Sequence, residues 1–421
     1  MANDAWAVVK GLRAIGTDAH LIIQRPAHVA SLPQWEDADI DLSKVGDDYN
    51  PNWEILNENW SIPNYVHTFD MYKLSRPWYA NNVDSVISRM TREHPNFAYL
   101  LRSYSFNLLK FWTTLRERQG NETERQFLRL VKDYDLVVGH SPFAVLAPRY
   151  KAILRKPYIL YEAGWIRYLH DPTYASPAYR LAQVGYKHAS KILFANVDLY
   201  GILVRSGYDP SRLVYTPFAI DTEMYRPLEK HGLSVSSDES PVFLMPSRPD
   251  PTKGNESVLY AFQRYLKRKP NAVLRLVNWG PKQEDLPKHL AVIKKLGIEK
   301  RIRWLPLMNK RLLIRHFNAA DIIFDQFKLG ALGLLAPEAM ACGKPVAAFV
   351  KPGLWAPYHK ELPPVANART AEEIYRQMVA LEDEGLRKEF GVKGRQWVLE
   401  NCEMKLVAKN QLRIYEETMR R

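Results

Sequence analysis

Read as a pattern of apolar and polar positions, the second half of the chain falls into short strand-length segments separated by amphipathic stretches of helix length. Val242–Met245, Leu274–Val277, Arg303–Leu305, Ile322–Phe324 and Val346–Val350 are the strand segments. Most are continuous apolar runs, which predicts parallel strands buried on both faces rather than strands with one wet face. Between them, Val258, Phe262, Tyr265 and Leu266 share one helical face, Lys310 to Ala319 forms a second helix, and a third runs from about Gly333 to Cys342. Pro337 sits in the first turn of that third helix, where a missing amide has no intrahelical partner. Gly343 ends the helix and Pro345 keeps it from resuming. Strands alternating with helices predict a doubly wound parallel α/β sheet.

The first half is less regular. Ala5 to Leu12 reads as a helix, with Trp6, Val9 and Arg13 at helical spacing; Gly16 ends it, and Ala19 to Ile23 is a strand. A domain of this class opens on a strand, so either the usual first strand is expected to be absent or Met1 to be a late start. Residues from about 30 to 130 predict an insertion, helical from about Val83 to Lys132. Asp135–Val138, Tyr158–Tyr161 and Ser190–Asn196 are the next strands. Near the end, Met404, Ala408, Leu412, Tyr415 and Met419 form one helical stripe.

Composition narrows the class. The chain has 421 residues, 46% hydrophobic and 25% charged, enough for two globular domains. No apolar run reaches the ~18 residues that span a bilayer. The first residues lack the basic-then-apolar pattern of a signal peptide. Two cysteines, Cys342 and Cys402, are too few for a disulfide framework or a cysteine metal site, so a reducing, cytoplasmic home is expected. The formal net charge of +13 points to an anionic partner: nucleic acid, an acidic membrane face or a phosphorylated substrate.

Candidate chemistry gathers where strands give way to helices, the edge at which open α/β sheets bind ligands. Arg248 and Lys253 follow the strand Val242–Met245; a planar guanidinium and an ammonium in one loop before a helix can cradle a diphosphate. Glu338, in the first turn of its helix, can accept hydrogen bonds from a vicinal diol such as a ribose, or can simply complement the helix dipole. His140 follows the strand at Val138 and can meet a sugar hydroxyl, a phosphate or only the next helix. Asp37 and Asp39 form an Asp-x-Asp in a polar loop, and no strand leads into it.

The stretch Glu338-Ala-Met-Ala-Cys-Gly-Lys-Pro-Val346 resembles the helix motif of the group 1, family-4 retaining glycosyltransferases. Ser247-Arg248 with Lys253-Gly254 resembles that family's phosphate loop, and Arg212 through Ile220-Asp-Thr to Tyr225-Arg-Pro227 resembles its inter-domain segment. The resemblance implies the GT-B fold: two Rossmann-like domains facing each other across a cleft, with a helical insertion in the N-terminal one. It sets an acceptor-side domain at 1–227, a linker at 228–240, a nucleotide-sugar domain at 241–395 and a helix at 396–421 that crosses back to the first domain.

The resemblance also implies roles. Arg248 and Lys253 would bind the diphosphate and carry the catalysis; Glu338 would hold the ribose. Gly330, Gly333 and Leu334 would lie beside the donor, and Met308, in the loop after Arg303–Leu305, beside the base. The family has a second glutamate where Gly330 stands and a histidine where Ala163 stands. His140, Glu162 and Arg167 are then the candidates for donor-sugar or acceptor binding. No cofactor or metal is expected, the nucleotide sugar being a co-substrate. The acceptor is expected to be a saccharide or lipid-linked glycan, reached in the cytoplasm and at an anionic inner membrane face. Trp6, Trp35, Trp53, Trp60, Trp78 and Trp112 crowd the acceptor half, and one or two are expected to line its groove. Nucleic acid is not the expected partner. A DNA-modifying relative and a non-catalytic or epimerase-like one remain as alternatives.

Overall fold

A computed structural model describes residues 4–25, 32–38, 46–47, 50–51, 61–70, 122–169, 177–229, 233, 240–251, 253–279 and 285–420. Most of the predicted insertion lies outside the described residues, with Asp39, Trp53, Trp60, Trp78, Trp112 and most of the linker.

The first domain opens with helix α1 (Asp4–Ala14), strand β1 (Leu21–Arg25), a short helix α2 (Pro33–Asp37) and strand β2 (Val66–Asp70), which pairs in parallel with β1. A parallel sheet follows in the order β3 (Val137–His140), β4 (Tyr158–Glu162), β5 (Lys191–Phe194), β6 (Leu213–Tyr215). Every residue of β4 is buried, as its Tyr-Ile-Leu-Tyr run predicts for a strand covered on both faces. β3 begins two residues later than its predicted position, because Asp135 is still exposed in the preceding turn. His140 is therefore the last residue of the strand.

The second domain is one six-stranded parallel sheet. Its strands are β7 (Val242–Met245), β8 (Val273–Val277), β9 (Ile302–Leu305), β10 (Ile322–Phe324), β11 (Val346–Ala348) and β12 (Ala366–Asn367), in the spatial order β9-β8-β7-β10-β11-β12. Counted within the domain this is 3-2-1-4-5-6, the Rossmann order. The direction of winding reverses between β7 and β10, which pair through Phe243 opposite Ile322 and Leu244 opposite Ile323. Helices α3 (Asn255–Leu266), α4 (Lys310–Ala319), α5 (Leu335–Ala341) and α6 (Glu384–Asn401) belong to this domain. The last helix, α7 (Met404–Met419), leaves it and packs along α1.

Two contacts fix that return. Glu403 bridges to Ile220, and Gln411 Nε2 donates to Thr216 Oγ1 at 2.9 Å. Met404, Ala408 and Tyr415 of the predicted stripe are buried, and Met419 is 42% exposed. One apolar cluster joins the domains, running from Val8, Tyr161 and Ile220 to Leu244, Ile323 and Met340.

Candidate active site

The two loops that leave the switch point, after β7 and after β10, are tied together. Phe327 N donates to Lys253 O at 2.8 Å. Asp325 follows β10 directly and is buried; its Oδ2 accepts from Gly333 N at 2.8 Å, and its Oδ1 stands 3.7 Å from Lys253 Nζ. Arg248 is held more loosely: it is half-exposed, and its guanidinium reaches Asp250 Oδ2 at 3.4 Å. The loop therefore presents one placed cation and one adaptable one.

Gly330 has φ +74°, and its carbonyl accepts from Lys351 N and from Trp355 Nε1 at 2.9 Å. A Cβ at this position would lie 2.7 Å from Lys351 Cβ. The backbone shape and the lack of room both require glycine there. Leu334 is the N-cap of α5, which starts at Leu335, a residue or two later than predicted. Glu338 lies in its first turn.

Glu338 is buried, and its two carboxylate oxygens each lie 2.6 Å from Lys310 Nζ. Tyr225 Oη donates to Oε1 at 3.2 Å. Burial raises the pKa of Glu338, while Lys310 and Tyr225 act against the rise. Burial also holds the Tyr225 phenol far above its usual range, so it remains a donor. Lys310 occupies the first turn of α4, where the helix dipole disfavours a cation. Its tight pair with Glu338 supplies the compensation. The N-cap of α4 is conventional: Asn309 Oδ1 accepts from Leu312 N at 2.9 Å.

The first domain reaches over this pair. Glu36 of α2 is buried with its Oε2 3.7 Å from Lys10 Nζ, and burial lifts its pKa to about 8 against the pull of Lys10 and Lys310. Lys10 also meets Asp37 at 3.2 Å and Asp221 at 3.1 Å. Trp35 stacks on Trp279, ring centroids 6.3 Å apart. Asn309 Nδ2 donates to Ala38 O at 3.0 Å and Arg311 Nε to Asp37 O at 3.1 Å. Met308 is buried in the same loop, after β9.

Of the remaining candidates, His140 is half-buried at the end of β3 with its ring 4.6 Å from that of Tyr161. Glu162 is fully buried and accepts from Tyr186 Oη and Gly164 N. Arg167 grips Asp198 with both faces of its fork, at 2.8–3.1 Å. Glu162 and Arg167 thus carry internal contacts. Trp6 and Trp35 are buried, Trp6 donating to Asp37 Oδ2 at 2.7 Å. Among the described residues no three His, Cys, Asp or Glu side chains are grouped to hold a metal ion.

Asp325, Lys310, Tyr225, Glu36 and Trp279 were not candidates from sequence. Two of them carried a signal: Asp325 is an acid directly abutting a buried strand at the ligand edge, and Lys310 is a cation at a helix start.

Two Rossmann-like domains closed on each other, with the last helix returning to the first, constitute the GT-B fold. The chain is similar over its length to two solved structures. One is sucrose-phosphate synthase from Thermosynechococcus elongatus, with TM-score 0.63, 13% identity, and 97% of this chain and 91% of that one covered. The other is Anabaena Alr3699/HepE in complex with UDP and glucose, with TM-score 0.62, 15% identity, and 94% and 99% covered. Residues 229–361 match the model of the glycosyl transferases group 1. A D-inositol 3-phosphate glycosyltransferase of Geodermatophilus obscurus is 33% identical over 158 residues, 35% of each chain. The match thus spans about a third of that relative's length. No helix among the described residues is long and apolar enough to cross a membrane.

Proposed function

We propose that the protein is a retaining glycosyltransferase that moves a sugar from a nucleoside-diphosphate donor to a hydroxyl of a saccharide or lipid-linked glycan. The observation that carries this reading is the convergence, at the β7/β10 switch point, of the loop holding Arg248 and Lys253 with the loop and helix holding Asp325, Gly333 and Glu338. A diphosphate seated there meets two cations. Glu338 keeps lone pairs beyond those used by Lys310 and Tyr225, because a carboxylate accepts about four hydrogen bonds, and a ribose diol can take the rest. The loop of Met308 faces the base.

In the reaction the bond from the anomeric carbon to the phosphate oxygen breaks and the acceptor oxygen bonds to that carbon on the same face. The acceptor proton passes to an oxygen of the departing diphosphate. Arg248 and Lys253 stabilise the charge that grows on it, the role fixed cations fill in phosphoryl leaving groups. We assign His140, at the edge of the first domain's sheet, to contact with the donor sugar or the acceptor. Support for the donor class comes from the structural likeness to a protein solved with UDP and glucose. The acceptor does not follow from the relatives, whose match covers only part of their length. We place the reaction in the cytoplasm, with the +13 charge assisting peripheral docking at an anionic membrane face.

The test is a thermal-shift screen of nucleotide sugars, followed by mass spectrometry of products formed from the best donor with oligosaccharide and lipid-linked acceptors. A donor that stabilises the protein and yields a glycosylated product supports the reading. Stabilisation by no nucleotide sugar, with steeply salt-dependent binding to DNA, replaces it with the nucleic-acid reading. Activity is expected to survive EDTA, because Arg248 and Lys253 supply the positive charge; complete loss restored by magnesium or manganese overturns that part.

A further inference from the structure

The loop after β10 excludes an acid from position 330 and places another one nearby. At Gly330 the left-handed backbone and the 2.7 Å approach of Lys351 Cβ leave no room for a side chain. Asp325, five residues earlier, is 1% exposed. Its Oδ2 is engaged by Gly333 N, while its Oδ1 is buried with no hydrogen-bond partner. Lys253 Nζ, at 3.7 Å, is beyond hydrogen-bond distance. A buried acceptor in that state carries a free-energy penalty that is relieved when a donor reaches it.

The space in front of this oxygen is defined by Gly333. A Cβ there would lie 3.1 Å from Lys253 Nζ and 3.2 Å from Asp325 Oδ1. Both Lys253 and Gly333 are half-buried, so the carboxylate stands just behind accessible surface. A group entering beside Gly333 meets an ammonium and a carboxylate together. A phosphate oxygen satisfies the first and is repelled by the second. A sugar hydroxyl is neutral, donates a proton to the carboxylate, and hangs from the same diphosphate that the ammonium attracts.

We infer that Asp325 is a specificity-determining residue that accepts a hydrogen bond from a hydroxyl of the transferred sugar. Donor binding draws the Lys253 ammonium onto the diphosphate and uncovers Oδ1 for that hydroxyl. The inference rests on the glycosyltransferase reading and deepens it: the acid comes from the end of β10, not from position 330.

Calorimetric titration of the full chain and of Asp325→Asn tests it. UDP-glucose, UDP-N-acetylglucosamine and GDP-mannose are each compared with their parent diphosphate. Asparagine keeps the shape and can keep the oxygen that faces Gly333 N, but it replaces the open acceptor with a donor. The expected result is that the affinity a sugar adds over its parent diphosphate falls about tenfold or more, the scale of a charged hydrogen bond, while affinity for the diphosphate stays within about twofold. Equal losses for diphosphate and nucleotide sugar make Asp325 a positioning residue for Lys253 and overturn the inference, as does no loss at all. Should Asp325→Asn not fold, monodeoxy analogues of the best donor on the wild-type protein give the same answer. One analogue is expected to lose about tenfold, and uniform affinities across the set overturn the inference. Wild-type protein that binds no nucleotide sugar overturns the glycosyltransferase reading and this inference with it.

Discussion

Lys253 and Arg248 are cations of one loop, but different surroundings hold them. Lys253 lies against the buried carboxylate of Asp325, whereas Arg248 is half-exposed beside Asp250. A charge already in place acts most where charge develops, at the leaving diphosphate, so Lys253→Ala is expected to lower kcat by about 100-fold or more and donor affinity by only about fivefold or less. Steady-state kinetics with direct binding separates the two; equal losses in both would assign Lys253 to ground-state binding. Glu36 is the second residue whose surroundings set its behaviour. Burial lifts its carboxyl from 4.5 to about 8 in the folded protein. Between those values the folded state keeps a proton that the unfolded state has released, so stability falls as pH rises from about 4.5 to about 8, by roughly 1.4 kcal/mol for each unit of difference. Glu36→Gln removes that fall. Its Tm relative to wild type is expected to rise steadily from pH 5 to pH 8, and a difference that does not change with pH would show Glu36 ionised throughout. With Glu36 neutral, Lys10 depends on Asp37 and Asp221 as its charged partners.

The Lys310–Glu338 pair links the first turns of two helices, and each explains the other's place. An acid suits the start of α5, a cation does not suit the start of α4, and both are buried. Removing one partner leaves an uncompensated buried charge, so Lys310→Met and Glu338→Met are each expected to cost about 3 kcal/mol of stability. The double variant is expected to recover most of that, because an apolar pair of similar volume can replace a buried ion pair. Nucleoside-diphosphate affinity should stay low in Glu338→Met and in the double variant, since neither has a carboxylate for the ribose. Denaturant melts give the coupling and titration gives the affinity; recovery of nucleotide binding along with stability would reduce Glu338 to a structural role. Part of this arrangement can be read from the amino-acid sequence. Strands β7 and β10 are legible because a strand covered on both faces leaves an apolar run, and β8 keeps that pattern apart from Arg275. Helix α4 is legible from its cap and its period. The partners of Glu338 are not, since Lys310 and Tyr225 lie 28 and 113 residues away and no local pattern encodes such a meeting. The packed state of Glu162 escapes for the same reason: Tyr186 reaches it from a helix, and nothing near Glu162 in the chain announces it.

At the scale of the whole molecule, the first domain closes on the second through a short piece of chain. The segment 32–38 brings Trp35 onto Trp279, receives hydrogen bonds from Asn309 and Arg311, and sets Glu36 beside Lys310 and Glu338. It lies at the carboxyl ends of β8 and β9, where the base and ribose are proposed to bind. Glu338 is buried, so a donor reaching it is expected to need this segment to lift. The apparent affinity is then the intrinsic affinity reduced by the fraction of molecules already open. The Trp35–Trp279 contact adds an aromatic pair, about 0.5–1.5 kcal/mol beyond its buried area, to the closed state. The two backbone-directed hydrogen bonds add about 1 kcal/mol each. Trp35→Ala removes the aromatic part and leaves the hydrogen bonds. It is expected to raise the open fraction, and with it the association rate of nucleoside diphosphate, by about tenfold, because 1.4 kcal/mol is a factor of ten. The residues that bind the diphosphate are untouched, so the dissociation rate from the open state should not change. Stopped-flow binding measures both rates, and hydrogen exchange at residues 307–311 reports the loosened closure independently. An association rate equal to that of the wild type, with exchange at 307–311 accelerated, would mean that the segment opens without standing in the donor's path.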